Sequence, residues 1–375
     1  MSSGVAALPL AEQVSAPQKA GIVDDAFIAR CREFGLTETT LRELRGARFS
    51  DEKLADVTVR ALLALAALSR GDTAWAELLL GTGKPVRTIE EKRLWLAASL
   101  YLECWHPPKA SDEIARLTQA LGAASMVETI ENPDLAKLAM GCSALAFAEG
   151  LVRVADVGAA RNQLELVAND DQLPRGLAVV ARTLLASIEI GVGRSDLALG
   201  HLQVALHASA GLGPEDRLLR LLLIGLLFAE NRRLARAMLD DVVAGRYGAI
   251  STDHGTVARL FRLLGKIAYH CPLSLDSTVE IRHDLAWLLG RHASAAWCLL
   301  IVSLVGGALV AADETCEGYD VLVQSAADLR CRHMDGVADL LDRQLATLRG
   351  QLGPDGFEPA LREAQRRRRI RATKV

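Results

Sequence analysis

The chain has 375 residues, of which half are hydrophobic, 4% aromatic and 24% charged, with a formal net charge of -3. At roughly 100–200 residues per domain, that length allows two or three domains or one extended repeat array, and the small net charge excludes a molecule-wide field for nucleic acid. Ala and Leu carry the apolar content, a mix with high helix and poor strand propensity, so an all-α protein is expected.

The N-terminus, "MSSGVAALPLAEQVSAPQKAG", has no basic n-region, and Pro9 breaks its apolar run. Residues 1–22 therefore read as a flexible tail rather than a secretory signal. Seven cysteines, Cys31, Cys104, Cys142, Cys271, Cys298, Cys316 and Cys331, are odd in number, widely spaced and without a CxxC pair. Reduced thiols of a cytoplasmic protein are the expectation.

From residue 23 to 361 the apolar residues recur at three and four, the helical period, and no run alternates as a strand would. Ser50 caps a helix that ends at Arg70-Gly71, and the "RGD" of 70–72 reads as its terminating turn. "GTGKPVRTIE" at 81–90 looks like a phosphate cradle but fails as one. Leu78 stands where the first glycine should be, Pro85 replaces the hydroxyl residue, and helical text precedes it. Thr88 and Glu91 instead make a capping box for the next helix. Further helices are expected after Ser111, Asn132-Pro133, Pro174 and Pro214. Breaks are expected at 70–73, 106–111, 169–174, 191–196, 209–214, 245–254, 271–277 and 350–357.

Three segments align within 141–245: Ala160, Leu164 and Val167; Ala198, Leu202 and Ala205; Ala235, Leu239 and Val242. The alanines recur at intervals of 38 and 37 residues. Each segment follows a short polar turn, "RVADVG", "GVGRSD" or "AENRR", which follows a longer apolar helix. Twelve residues upstream of the aligned alanines stand Ala148, Ala186 and Leu223. This resembles, in degenerate form, the tetratricopeptide repeat, a helix–turn–helix unit of about 34 residues. The family's aromatic positions and closing proline are missing and the period is longer.

The resemblance implies an α-solenoid of antiparallel helix pairs, irregular at both ends, whose concave face is lined by the first helix of each pair. It assigns Glu149, Arg153, Ser187, Arg217, Arg220 and Ile224 to a face that binds a partner peptide or helix. The basic clamp of the chaperone-binding members is not reproduced, since Leu145 and Glu149 stand in its place. An irregular helical bundle with chance spacing is the alternative. Arg217 and Arg220 also admit a plain reading, as a solvated edge or an internal ion pair with Glu149 or Asp240.

Residues 293–312, "ASAAWCLLIVSLVGGALVAA", are twenty uncharged residues, long enough to span a bilayer. A buried stretch of a large helical protein reads the same way. The expectation is two buried helices meeting near Gly306-Gly307. The segments "YDVLVQSAADL" and "VADLLDRQLATL" are expected helices of unset register. The C-terminal run 362–375 carries Arg366, Arg367, Arg368, Arg369 and Arg371. Such a block suits an acidic partner, anionic lipid or nucleic acid, or is the solvated end of the last helix.

Candidate chemistry is sparse. Eight histidines are scattered, with no HExxH and no zinc spacing, and no GxSxG elbow occurs. Asp170-Asp171 and Asp240-Asp241 fall at helix ends. A non-enzymatic adaptor without cofactor or metal is the first reading. A regulatory or sensor module of a bacterial transcription or signalling system is the second, and an enzyme on a helical scaffold the third.

Overall fold

Thr88 and Glu91 hold each other as a capping box. The Glu91 N–H donates to Thr88 Oγ1 at 3.1 Å, and the Thr88 N–H donates to Glu91 Oε2 at 3.0 Å. The stretch after the glycine pair therefore starts a helix, with two end amides satisfied reciprocally. These contacts come from a computed structural model, which describes residues 57, 60–61, 64, 73–81, 88–105, 133–173, 175–209, 214–247, 255–291 and 294–372. Among the described residues there are helices and turns and no strand. The tail 1–22, the "RGD" turn, the Gly83–Pro85 turn and the helix expected after Ser111 lie outside the described residues. Of the helix expected after Ser50, positions 57, 60, 61 and 64 are described, and they are helical.

Thirteen helices are described. They are α1 (Thr73–Gly81), α2 (Ile89–Trp105), α3 (Pro133–Arg153), α4 (Val157–Asn169), α5 (Arg175–Gly191), α6 (Ser195–Ala208), α7 (Pro214–Glu230), α8 (Arg232–Val243), α9 (Thr256–Tyr269), α10 (Leu275–Arg291), α11 (Ala295–Ala311), α12 (Thr315–Cys331) and α13 (Asp335–Ala372). From α3 to α8 each helix lies against the next. The pairs α9/α10, α11/α12 and α12/α13 do the same.

Four of the turns between neighbouring helices repeat one construction. Ala155, Gly193, Asp313 and His333 all take positive φ, at 61°, 80°, 66° and 57°. In each case the next N–H reaches back to a carbonyl of the preceding helix: Asp156 to Leu151 at 2.9 Å, Arg194 to Glu189 at 2.8 Å, Glu314 to Leu309 at 2.9 Å and Met334 to Leu329 at 3.0 Å. That is the left-handed helix closure, and it satisfies the end carbonyls while reversing the chain in three residues. Asp156 then caps α4 by accepting the Ala159 N–H, and Asn231 caps α8 by accepting that of Leu234.

The aligned repeat positions form the buried seam. The buried residues of α4 are Ala160, Leu164 and Val167; those of α6 are Ala198, Leu202 and Ala205; those of α8 are Ala235, Leu239 and Val242. Ala148, Ala186 and Leu223, the upstream positions, are buried too. Small residues at these sites bring paired helix axes together.

One expectation is corrected. Residues 295–311 form one continuous helix, not two meeting at the glycine pair. Gly306 is there to admit a neighbour: a Cβ on it would lie 2.9 Å from Leu322 Cγ. The break expected at 350–357 is present: Gly353, at φ 66° and ψ 173°, is not helical, so α13 is two helical stretches that meet there, the second opening at Pro354. The basic run 362–372 ends the second stretch. No helix among the described residues is long and apolar enough to cross a membrane.

Helix α11 is the centre of the molecule. It touches α3, α5, α7, α9, α10, α12 and α13. Nearly all its residues are buried, from Ala295 to Leu309. A helix surrounded on every side has no polar stripe to show, hence its uninterrupted apolar text.

Candidate functional site

The face assigned to a partner is occupied by α11. Glu149 of α3 is fully buried, and its Oε1 accepts the Ala296 N–H at 3.1 Å. Ser187 of α5 is also buried and donates to the Ala296 carbonyl. Ser294 caps α11 by accepting the Trp297 N–H at 3.0 Å. The end amides of an all-apolar helix thus find acceptors inside the protein, where water does not reach them. Burial pushes the Glu149 carboxyl above its usual range, although the Ala296 N–H and Arg153 favour the charged form. Arg153 is half-buried, and its guanidinium pKa is lowered by the same cause.

Leucines of α11 seat in glycine notches of the first helices. A Cβ on Gly191 of α5 would come within 2.7 Å of Leu299, and one on Gly225 of α7 within 2.5 Å of Leu304. Ile224 is buried in the core beside that second notch. Glu149, Ser187 and Ile224 therefore sit in the interior and not on an open groove.

Arg217 and Arg220 are half-buried on α7. Arg220 does not pair with Glu149 or Asp240. Its Nε donates to Asp216 Oδ2 at 2.7 Å, and its guanidinium stacks 4.0 Å from the centre of the Tyr247 ring. Asp240 accepts the Tyr269 hydroxyl instead. The Tyr269 hydroxyl pKa is pushed up to about 12 by burial and by that carboxylate.

The basic run divides. Arg367 Nη1 lies 3.2 Å from Glu317 and 3.7 Å from Glu314, and its Nε lies 3.0 Å from Glu363. Arg366 pairs with Glu363 at 3.2 Å, and Arg369 is exposed. Arg368 and Arg371 belong to the same helix. Glu314 and Glu317 sit at the start of α12, where the helix dipole favours negative charge, and Asp320 follows in the next turn. Arg282 of α10 reaches Glu317 at 3.0 Å and also pairs with Asp320. The run's first cations are thus bound within the chain.

Among the described residues a cleft of about 510 Å³ opens on the α5/α7 side. Its floor is Gly306, Gly307, Val310 and Ala311 of α11. The C-terminal ends of α5 and α7 form one wall, ending in Glu230, and α13 forms the other. On α13, Arg343, Thr347 and Gln351 line the cleft at intervals of four, one ridge about 12 Å long. Below the ridge Gln344 is fixed by two bonds, donating to the Ile190 carbonyl at 3.0 Å and pairing with Ser303. Neither Arg343 nor Glu230 makes an ion pair among the described residues. Sequence reasoning missed this cleft because its lining comes from six helices far apart in the chain. The available signal was the glycine pair 306–307, read as a break.

Three of the thiols are poorly placed for nucleophilic work. Burial holds Cys298 up at about 12 and also raises Cys271 and Cys316. Among the described residues no group of three or more His, Cys, Asp or Glu is arranged to hold a metal. The chain matches no family model, no curated protein and no solved structure.

Proposed function

We propose that this chain is a non-enzymatic scaffold, a tetratricopeptide-like α-solenoid of helix pairs that binds a peptide or helix of a partner protein. The observation that carries the proposal is the seating of α11. The first helices α3, α5, α7 and α9 all touch it. They hold it by backbone hydrogen bonds to Glu149 and Ser187 and by glycine notches for its leucines. That is the helix-in-groove mode by which such faces recognise partners, here filled by the chain itself. The matching left-handed turns at Ala155 and Gly193 and the buried seam of Ala160, Ala198 and Ala235 favour the solenoid over a chance bundle.

The partner surface then lies where the face is not filled. The test is chemical cross-linking of the full chain with the proteins it retains from its source cell, followed by mapping of the linked residues. The scaffold reading expects a saturable partner whose cross-links gather on one face. A chain that retains no partner, or one whose cross-links scatter over all faces, overturns it.

A further inference from the structure

Gly307 costs the fold stability and gives it nothing in return. It stands inside α11, where glycine is worth about 0.5–1 kcal/mol less than alanine. Its neighbour Gly306 has a packing reason, the approach of Leu322, but a Cβ on Gly307 would meet no atom within 4 Å. Gly200, Gly265 and Gly290 share that freedom elsewhere, but Gly307 does so on the floor of the 510 Å³ cleft. A second feature lies on the rim: Arg343 of α13 and Glu230 of α7, both exposed, line the same cleft with no ion pair among the described residues. The volume falls within the range of about 300–1,000 Å³ usual for ligand sites. An apolar floor with a polar rim is the anatomy of a side-chain socket at a protein interface.

We infer that this cleft takes one large apolar side chain of a partner peptide, packed over Gly307, with an acidic group of the same peptide paired to Arg343. The inference rests on the scaffold reading and names its contact. The ridge of Arg343, Thr347 and Gln351 gives the peptide a polar track, and its length of about 12 Å matches two turns of helix. Arg343 supplies the forked donor that suits a carboxylate. Gln344, already bonded to Ile190 and Ser303, holds α13 at a fixed distance from the floor.

The test uses a display library of short random peptides selected on the full chain, with the best peptide then titrated by fluorescence anisotropy. Selected sequences are expected to share one Leu, Met, Phe or Trp with an Asp or Glu within about a turn of it. Gly307→Leu fills the floor and should weaken binding at least about tenfold. Arg343→Glu, at an exposed position, should weaken it several-fold. Gly307→Ala should raise the melting temperature, since it adds helix propensity in open space. If Gly307→Leu fails to fold, Arg343→Glu and Gly307→Ala decide by the same titration. Peptides that bind all the variants equally overturn the cleft and leave the scaffold standing. Enrichment of no peptide overturns both.

Discussion

Glu149 is a buried carboxylate whose folded-state pKa is raised, and the sign of that shift sets its pH dependence. The folded state holds the proton more tightly than the unfolded chain does. Its contribution is therefore most favourable below the unfolded value of about 4.5 and declines as pH rises through the raised value. Glu149→Gln keeps an acceptor for the Ala296 N–H and removes the charge. It is expected to match or exceed the wild type in stability at neutral pH and to flatten this decline, as read by urea unfolding across pH 4–8. Glu149→Ala leaves the amide unpaired and should cost about 1–3 kcal/mol.

Gly336 is a second residue with one reason for its identity. It begins α13 against the α3/α4 turn, and a Cβ there would fall 2.4 Å from the Arg153 carbonyl oxygen and 2.5 Å from the Ala155 nitrogen. Backbone cannot swing aside as a side chain can. Gly336→Ala should therefore destabilise by about 1–3 kcal/mol, despite its better helix propensity, by the same unfolding measurement. Ala155, on the other side of that contact, carries the positive φ of 61° without being glycine. Ala155→Gly relieves about 1 kcal/mol of left-handed strain and should raise the melting point.

At the scale of the element, α11 is held by complementary shapes, and these can be uncoupled. Gly225→Ala puts a methyl into Leu304 and is expected to destabilise. Leu304→Ala alone leaves a cavity and should cost about 2–5 kcal/mol. The double variant should be better than the sum of the two, because the methyl then enters the space the leucine left. Additivity in that double-mutant cycle would mean that the two residues do not share one contact. Helix α13 has a different fastening. Beyond the Gly353 break, its C-terminal stretch is tied through Arg367 to Glu317 and Glu314 of the α12 start. Arg367→Glu should speed hydrogen exchange over 354–372 and leave exchange of α5 and α6 unchanged.

At the scale of the molecule, the central helix changes how the array should unfold. An open solenoid is held by nearest-neighbour contacts and can unravel from its ends. Here α11 touches the first helices of four pairs as well as α10, α12 and α13. Loss of any one pair exposes apolar surface on the helix all of them share. A single denaturant transition, coincident by far-ultraviolet dichroism and tryptophan fluorescence, is therefore expected over 133–372. Separate transitions for the α3–α8 and α11–α13 portions would contradict the tie.

The sequence by itself determined the helical class, most helix starts from Thr88 onward, and the seam at Ala160, Ala198 and Ala235. Each of these rests on local patterns: apolar period, caps and turn residues read within a few positions of one another. It did not reveal that 295–311 is one helix, because two adjacent glycines break a helix in solution but are held in one when neighbours surround it. Nor did it reveal that the face of Glu149 and Ser187 is covered. That depends on a segment more than a hundred residues away returning to lie on it. The cleft over Gly307 belongs to the same category. Its lining comes from α5, α6, α7, α11, α12 and α13, and no local pattern says which distant helix stops short of which, so only the packing of these helices together leaves that space open.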